Sequence, residues 1–235
     1  MVRPLLVSEP GLVAGSVTGG ITTRRGFPPA IRPGHDDPSR EVGRELLARL
    51  IGLQPNRLAW LEQVHGPDVI EVHDGGLAGK ADALVTRAPN LALLVAVADC
   101  GPVLFHDRKA GVIGAAHAGW RGAVAGVCEA TLDAMRELGA EDISAWVGPC
   151  IGPAAFEVGE EVAEQFPEVC VDRTHDRPHV DLARAIGLSL LEAGLPGTRI
   201  QFARQCTVQL ADRYWSYRRD GGICGRQFAW IVRSA

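Results

Sequence analysis

A single α+β domain is the architecture this sequence predicts, and three observations point to it. The chain has 235 residues, long enough to bury about 70% of the unfolded surface around one core. Two apolar runs, at 91–98 and 112–116, lack polar alternation, as strands covered on both faces do. Two stretches with helical apolar spacing, 122–138 and 181–193, sit among several short strand-like runs without a strict strand–helix–strand rhythm. No linker, repeat or low-complexity block interrupts the chain, so residues 1–235 read as one domain.

The elements follow in order. The first 35 residues are rich in Gly, Thr and Pro and read as short strands and turns. Asp37-Pro38 opens a helix with Pro in its first position. Val42, Leu46, Leu47 and Leu50 form its apolar stripe, and Gly52 ends it. Strands at 58–62 and 69–72 flank a turn at Val64-His65-Gly66-Pro67, and the two buried runs come next. The helix at 122–138 aligns Val124, Val127, Cys128, Leu132, Met135 and Leu138, and Gly139 closes it. A strand at 143–147, the helix at 181–193 before Gly194, and strands at 199–203, 214–218 and 227–232 complete the chain.

Composition excludes several classes. The net charge is −4, with 22% charged residues and no basic run, which leaves no electrostatic footprint for nucleic acid or an anionic membrane. The longest apolar run, eight residues ending before Asp99, is far short of a membrane span. The N-terminus shows no signal peptide, so a cytoplasmic location is expected. The six cysteines, at 100, 128, 150, 170, 206 and 224, include no C-x-x-C pair and read as thiols, mostly small core residues. No two glycines lie two positions apart, so no dinucleotide fingerprint exists. A phosphate-binding G-x-x-x-x-G-K-[ST] loop, H-E-x-x-H and G-x-S-x-G are also absent.

Three segments share one design: an apolar strand running into a metal-capable residue beside glycine. They are WLEQVHG with His65, LLVAVADCGP with Asp99 and Cys100, and VIGAAHAGWRG with His117. Two imidazoles and a thiolate suit zinc, and three protein ligands leave a fourth position open. Such an ion would lower the pKa of the water it holds to about 7. Taken singly, a His or Cys at a strand end more often packs or lies in a solvated loop, and these three have no short spacing that forces convergence. His117 also precedes a helix start, where free N–H groups and Arg121 would hold an anion of the substrate; pairing of Arg121 with an acidic neighbour is the alternative. Asp99 is a candidate general base or orienter of a ligand histidine, or an arginine partner. Asp82 and Glu62 are weaker candidates of the same kind. The stretch 214–226, YWSYRRDGGICGR, reads as a pocket wall with an aromatic for a flat ring and arginines for oxygen atoms, or as an edge hairpin. Cys150 sits in a tight turn and packs. His106, His175 and His179 read as surface or turn histidines.

These segments resemble the YfiH/YlmD, or laccase-domain, family. The matching motifs are QVHG from Gln63, ADALVT from Ala81, ADCGPVL from Ala98, AAHAGWRG from Ala115, GPCIGP from Gly148, FEVG from Phe156 and SYRRDG from Ser216, followed by Gly225-Arg226. They run from about residue 57 to the end. The segment from Thr22 to Pro38 is shorter than the family pattern. The resemblance implies a layered α/β/β/α sandwich with mixed sheets and a zinc, with copper as the alternative, on His65, Cys100 and His117. It implies purine nucleoside phosphorolysis, with adenosine deamination and methylthioadenosine cleavage at the same site. Asp99 and Arg121 are then expected to act in catalysis, and Gln63, Arg121, Arg219 and Arg226 to contact substrate. The partners expected are a purine nucleoside and phosphate, with the chain a monomer or homodimer that binds neither nucleic acid nor membrane. Three other readings stay open. One is an amidase editing peptidoglycan precursors, through a zinc water or through Cys100 with His117 as base. Another is a copper phenol oxidase, for which only Met1 and Met135 could supply the usual axial thioether. The third is a binding module with a structural metal, which would want a fourth protein ligand.

Overall fold

The structure is a computed structural model and describes residues 6–7, 15–28 and 38–235. Part of the Gly-rich N-terminal stretch and the helix-opening Asp37 lie outside the described residues. Two six-stranded sheets dominate. The first runs, in spatial order, β1 (Leu6–Val7), β2 (Val17–Thr22), β14 (Gln227–Arg233), β7 (Ala92–Val97), β3 (Leu58–Glu62) and β5 (Gly76–Lys80). The second runs β13 (Ile200–Phe202), β10 (Ser144–Val147), β8 (Gly101–Asp107), β9 (Val112–Ala118), β6 (Ala83–Thr86) and β4 (Val69–Glu71). A small ribbon pairs β11 (Val171–Asp172) with β12 (His179–Val180). Both sheets are mixed: β3 pairs in parallel with β7 and β5, and β4 with β6, whereas β7–β14 and β8–β9 are antiparallel.

The unalternating runs are explained by burial on both faces. Along β7, Leu93, Val95 and Val97 enter the core between the sheets, where Ile21, Leu61 and Ile231 meet Leu84, Leu104, Ile113 and Trp146 of the second sheet. Ala92 and Leu94 point the other way, with Leu58, Phe228 and Trp230, onto Leu47 and Ala48 of α1 (Ser39–Leu50). Val103, Phe105, Val112 and Ala116 of the second sheet pack outwards on two helices. These are α3 (Val127–Glu137), reached through the short α2 (Trp120–Val124), and α5 (Leu182–Glu192), which follows the single turn α4 (Glu160–Ala163). The layers are therefore α/β/β/α, each apolar face covered by the next. Each fully buried Leu or Phe contributes about 1.5–3 kcal/mol.

Several sequence expectations need correction. The buried face of α1 is Ser39, Gly43, Leu47 and Ala48 rather than the stripe through Val42 and Leu50, and Val42 is 55% exposed. Gly43 belongs to that face because the Phe228 ring lies against it; a Cβ there would come within 2.6 Å of Phe228 Cε2. The expected helix at 122–138 begins earlier, at Trp120, and is cut in two at Gly126, whose φ of 89° is left-handed. Val124 is consequently 39% exposed rather than on the apolar stripe. The strand expected at 214–218 is instead a turn leading to α6 (Tyr217–Asp220). There Ser216 Oγ accepts from Arg219 N while the Asp220 carboxylate accepts from Ser216 N, a reciprocal cap that local polar side chains impose over β-propensity. The strands β5, β6, β8, β11 and β12 have no counterpart in the sequence expectations. The helix at α5 is capped as its sequence suggests, with Asp181 Oδ1 accepting from Arg184 N at 3.0 Å.

Candidate metal centre

Register brings the three segments together. Where β3 ends, the Gln63 side chain takes over its pairing with β7: Nε2 donates to Ala96 O at 2.9 Å and Oε1 accepts from Ala96 N at 2.8 Å. The two chain ends therefore leave the sheet side by side, carrying His65 and Cys100. In the second sheet, β8 and β9 align Gly101 with Ala118 and Pro102 with His117, so Cys100 emerges beside the end of β9. The ligand atoms of His65, Cys100 and His117 lie within 4.8 Å of one another. The two imidazoles meet edge to face, with ring centroids 4.8 Å apart at 78°. Gly119 makes the approach possible, because a Cβ there would sit 3.0 Å from both Cys100 Sγ and His65 Cδ2.

The backbone is strained where the ligands are presented. His65 and Asp99 have φ of 63° and 85°, a left-handed conformation that costs a non-glycine residue about 1–3 kcal/mol. The His65 loop is held by a second residue, Asp82, and Asp99 is anchored through its own carboxylate. The buried Asp82 accepts from Val64 N at 3.0 Å and Gly66 N at 2.7 Å through Oδ2, fixing the chain on both sides of His65. Its Oδ1 lies 2.7 Å from His117 Nδ1, which places the proton on Nδ1 and leaves Nε2 as the free donor. Asp99 Oδ1 accepts from Thr207 Oγ1 at 2.5 Å, and its Oδ2 from Ser216 Oγ at 3.0 Å and Arg218 N at 2.7 Å. Both oxygens of Asp99 are thus engaged with the segment that forms the far wall of the site.

The electrostatics favour a charged centre. Burial would raise the Cys100 thiol, but His117 and His65 outweigh it and bring its pKa down to about 6. Burial would likewise lower His117, but the Cys100 thiolate and Asp82 hold it up to about 9. Asp82, though buried, is held below the usual carboxylate range by His117 and by the backbone N–H groups around His65. The thiols of Cys128 and Cys150 are pushed up, first by burial and then by negative charge nearby, Glu129 for Cys128 and Asp181 foremost for Cys150, as expected of packing residues. One soft thiolate with two neutral-capable imidazoles matches the donor set of zinc or copper, and a carboxylate bonded to the far nitrogen of one histidine, as Asp82 is to His117 Nδ1, is the usual accompaniment.

The trio lies in a cleft of about 520 Å³. Trp120, Phe156 and Tyr217 give it aromatic walls, and Arg121, Arg218 and Arg226 give it positive charge. Arg121 is exposed and stacks on Trp120, its guanidinium carbon 4.3 Å from the ring centroid. Among the described residues no acidic group pairs with it, so the ion-pair alternative is not met. Arg218 donates to Ala155 O at 3.0 Å and Glu157 O at 2.9 Å, and Arg226 Nη1 to Cys224 O at 2.8 Å. Arg219 stands outside the cleft. Its guanidinium donates to Thr207 O, Val208 O, Tyr214 O and the Asp220 carboxylate, which occupies it with the loop rather than with the cleft. Gln63, Asp99, Arg121 and Arg226 do line the cleft. Tyr217, Arg218 and Arg226 come from the stretch 214–226 expected as a pocket wall; sequence reasoning missed Trp120 and Phe156 as wall residues, although each lies in a segment it singled out, and it ranked Asp82 too low.

Comparison with known proteins agrees with this geometry. A family model described as "Multi-copper polyphenol oxidoreductase laccase" matches residues 33–234. A purine nucleoside phosphorylase of Deinococcus radiodurans is 43% identical over 205 residues, covering 83% of this chain and 78% of that one. Purine nucleoside phosphorylase YfiH of Escherichia coli is 39% identical over 190 residues, covering 77% and 76%. Among solved structures, YlmD of Geobacillus stearothermophilus superposes with a TM-score of 0.87 at 30% identity, covering 97% of this chain and 94% of that one. YfiH of Bacillus licheniformis gives a TM-score of 0.86 at 26% identity over 93% of each chain. No helix among the described residues is long and apolar enough to cross a membrane. By its motifs, its two stacked mixed sheets and these matches, the chain belongs to the YfiH/YlmD family of laccase-domain proteins.

Proposed function

We propose that the protein is a zinc-dependent purine nucleoside phosphorylase that also deaminates adenosine and cleaves methylthioadenosine. The observation that carries this reading is one cleft in which a His65–Cys100–His117 cluster is faced by aromatic walls and by Arg121, which has no acidic partner among the described residues. The names of the 43% and 39% identical relatives support it. His65, Cys100 and His117 would hold the ion, which when bound supplies Lewis acidity beside the reacting groups.

The remaining work falls to the chain's own residues. Trp120, Phe156 and Tyr217 offer flat apolar faces to a purine ring. Arg121 presents a planar fork suited to a phosphate. In phosphorolysis a phosphate oxygen forms a bond to the anomeric carbon as the bond from that carbon to the base nitrogen breaks. The base departs with the electron pair and gains the proton that the phosphate gives up on becoming the sugar ester. Asp99 acts here by holding the Tyr217–Arg218 wall, since its oxygens already accept three hydrogen bonds. Asp82 keeps the His117 Nδ1 proton in place.

The test is metal analysis of the purified protein together with a panel of adenosine, inosine and methylthioadenosine, with and without phosphate. About one zinc per chain and phosphate-dependent release of adenine or hypoxanthine are expected. Absence of base release from metal-loaded protein overturns the reading. Arg121→Ala should raise the KM for phosphate, and an unchanged phosphate dependence removes that arginine from its role. The donor set also accommodates copper, in keeping with the description of the matched family. Met135, however, lies on the buried face of α3, in the core and not at the trio. An intense blue band and phenol oxidation on copper loading would turn the assignment to an oxidase.

A further inference from the structure

A second cavity, of about 490 Å³, lies where α1 crosses the outer face of the first sheet. It shares Arg40, Gln63 and Ala96 with the metal cleft, so the two meet at the end of β3. Trp60, Leu94 and Phe228 of the sheet line one side, and Arg40 and Arg44, one helical turn apart on α1, line the other. The Arg44 guanidinium carbon is stacked 4.3 Å from the centroid of the Trp60 ring. That stack uses the face of the guanidinium and leaves its edge, where the N–H donors are. Among the described residues no carboxylate or carbonyl oxygen accepts from Arg44. Burial weakens its hold on its proton, and Glu41, a turn away on the same helix, opposes this only through space. The acid bordering the cavity, Glu62, is already paired with Lys80 at 3.5 Å. The Arg44 guanidinium has therefore lost water without gaining a hydrogen-bond acceptor among the described residues, an arrangement that an entering anion relieves.

We infer that this side cavity is an anion subsite for a phosphoryl group, with Arg44 as its principal donor. Resting on the nucleoside reading of the adjoining cleft, it extends the substrate class to purine nucleosides carrying a phosphoryl group. A planar guanidinium fork fits two oxygens of a phosphate at once. The boundary at Gln63 and Ala96 lets a group bound there stay linked to a nucleoside beside the trio. The same chemistry would hold free phosphate, and the two sources separate by experiment.

The full-length, metal-replete protein is titrated calorimetrically with adenosine, adenosine 5′-monophosphate and inorganic phosphate, as wild type, Arg44→Ala and Arg44→Lys. The expected result is that the monophosphate binds wild type roughly tenfold tighter than adenosine, as one charge-assisted bidentate contact provides. Arg44→Ala should abolish that advantage and leave adenosine affinity as it was. If the phosphoryl group arrives free instead, Arg44→Ala weakens inorganic phosphate by a similar factor while the monophosphate and adenosine bind alike. Should Arg44→Ala melt early, Arg44→Lys carries the comparison, because it keeps the charge but loses the fork; a severalfold loss is expected. Equal affinities of wild type and both variants for all three ligands overturn the inference. Calorimetry reads binding alone, so a failure of base release would overturn the phosphorylase reading and leave this result standing.

Discussion

Replacing Asp82 with asparagine should weaken metal binding by far more than its distance from the ion would suggest. The carboxylate accepts three bonds at 2.7, 3.0 and 2.7 Å, from His117 Nδ1, Val64 N and Gly66 N, and an amide offers only one accepting atom. If that oxygen stays on the loop, the amide N–H₂ faces His117 Nδ1, which must then accept. The imidazole proton moves to Nε2, the atom needed by the metal. If the oxygen turns to His117, the N–H groups of Val64 and Gly66 are left unpaired, at about 1–3 kcal/mol each, and the strained His65 is released. Either outcome removes one ligand from its productive arrangement. The expected loss is about 10–100-fold in metal affinity, equivalent to about 1.4–2.8 kcal/mol. Competition against a chromogenic chelator measures it.

The control is Asp107, also buried, whose carboxylate accepts from four backbone N–H groups: Lys109, Ala110, Glu141 and Asp142. Burial alone would raise its pKa, but those four donors hold it below the ordinary value. Its contribution to stability is therefore complete above the unfolded carboxylate value of about 3.9 and is lost as pH falls through the folded one. Asp107→Asn should lower Tm at neutral pH and flatten its fall in acid, with metal affinity untouched. Metal affinity in Asp82→Asn within twofold of wild type, alongside a fall in Tm like that of Asp107→Asn, would refute the reasoning, for Asp82 would then be a fold residue only.

Three further outcomes are expected. Gly119→Ala places a methyl 3.0 Å from Cys100 Sγ and His65 Cδ2 on a backbone with φ of −65°, so the fold should survive while metal affinity falls by roughly tenfold, of the order that misplacing a metal site's support brings; wild-type affinity with a large loss of stability would contradict this. In metal-free protein, iodoacetamide should label Cys100 with a rate rising through pH about 6, leave Cys128 and Cys150 unreacted, and lose the Cys100 reaction when zinc is added; labelling that rises only above pH 8 would show that His117 does not stabilise the thiolate. Chelation should lower Tm by the linkage amount alone and preserve the far-ultraviolet circular dichroism, because the three apolar clusters do not include the trio's histidines.

What the sequence disclosed follows from which interactions are local. The runs at 91–98 and 112–116 were legible as strands because burial on both faces leaves its trace in every residue. Asp181 and the apolar period of α5 likewise carry their message within one helix. The split at Gly126 was hidden because glycine within an otherwise good helical pattern reads as a tolerated cost, and only the packing of α3 on β9 requires the chain to turn there. The strand expected at 214–218 failed for the opposite reason: Tyr214, Trp215 and Tyr217 favour a strand, but Ser216 and Asp220 cap a turn whose backbone Asp99 holds from more than a hundred residues away.

The site was legible in its ligands and opaque in their supports, and the reason is chemical. A metal ligand must be one of a few residue types, so His65, Cys100 and His117 stand out as candidates by identity. A supporting residue is defined by what it reaches. Asp82 and Asp99 are both aspartates at the edge of an apolar segment, and nothing local distinguishes the one that fixes His117 from the one that fixes the far wall. Register decides: β6 pairs Ala83 with Ala116, which sets Asp82 beside His117, whereas Asp99 leaves β7 in a left-handed turn that swings its carboxylate towards Thr207 and Ser216. The two sheets thus contribute differently to one centre. The first sheet delivers His65 and Cys100 at the ends of adjacent parallel strands, the second delivers His117 with its partner Asp82, and Asp82 bonds both His117 and the His65 loop. That is why a residue that touches no metal is expected to weaken the centre by disturbing two ligands at once.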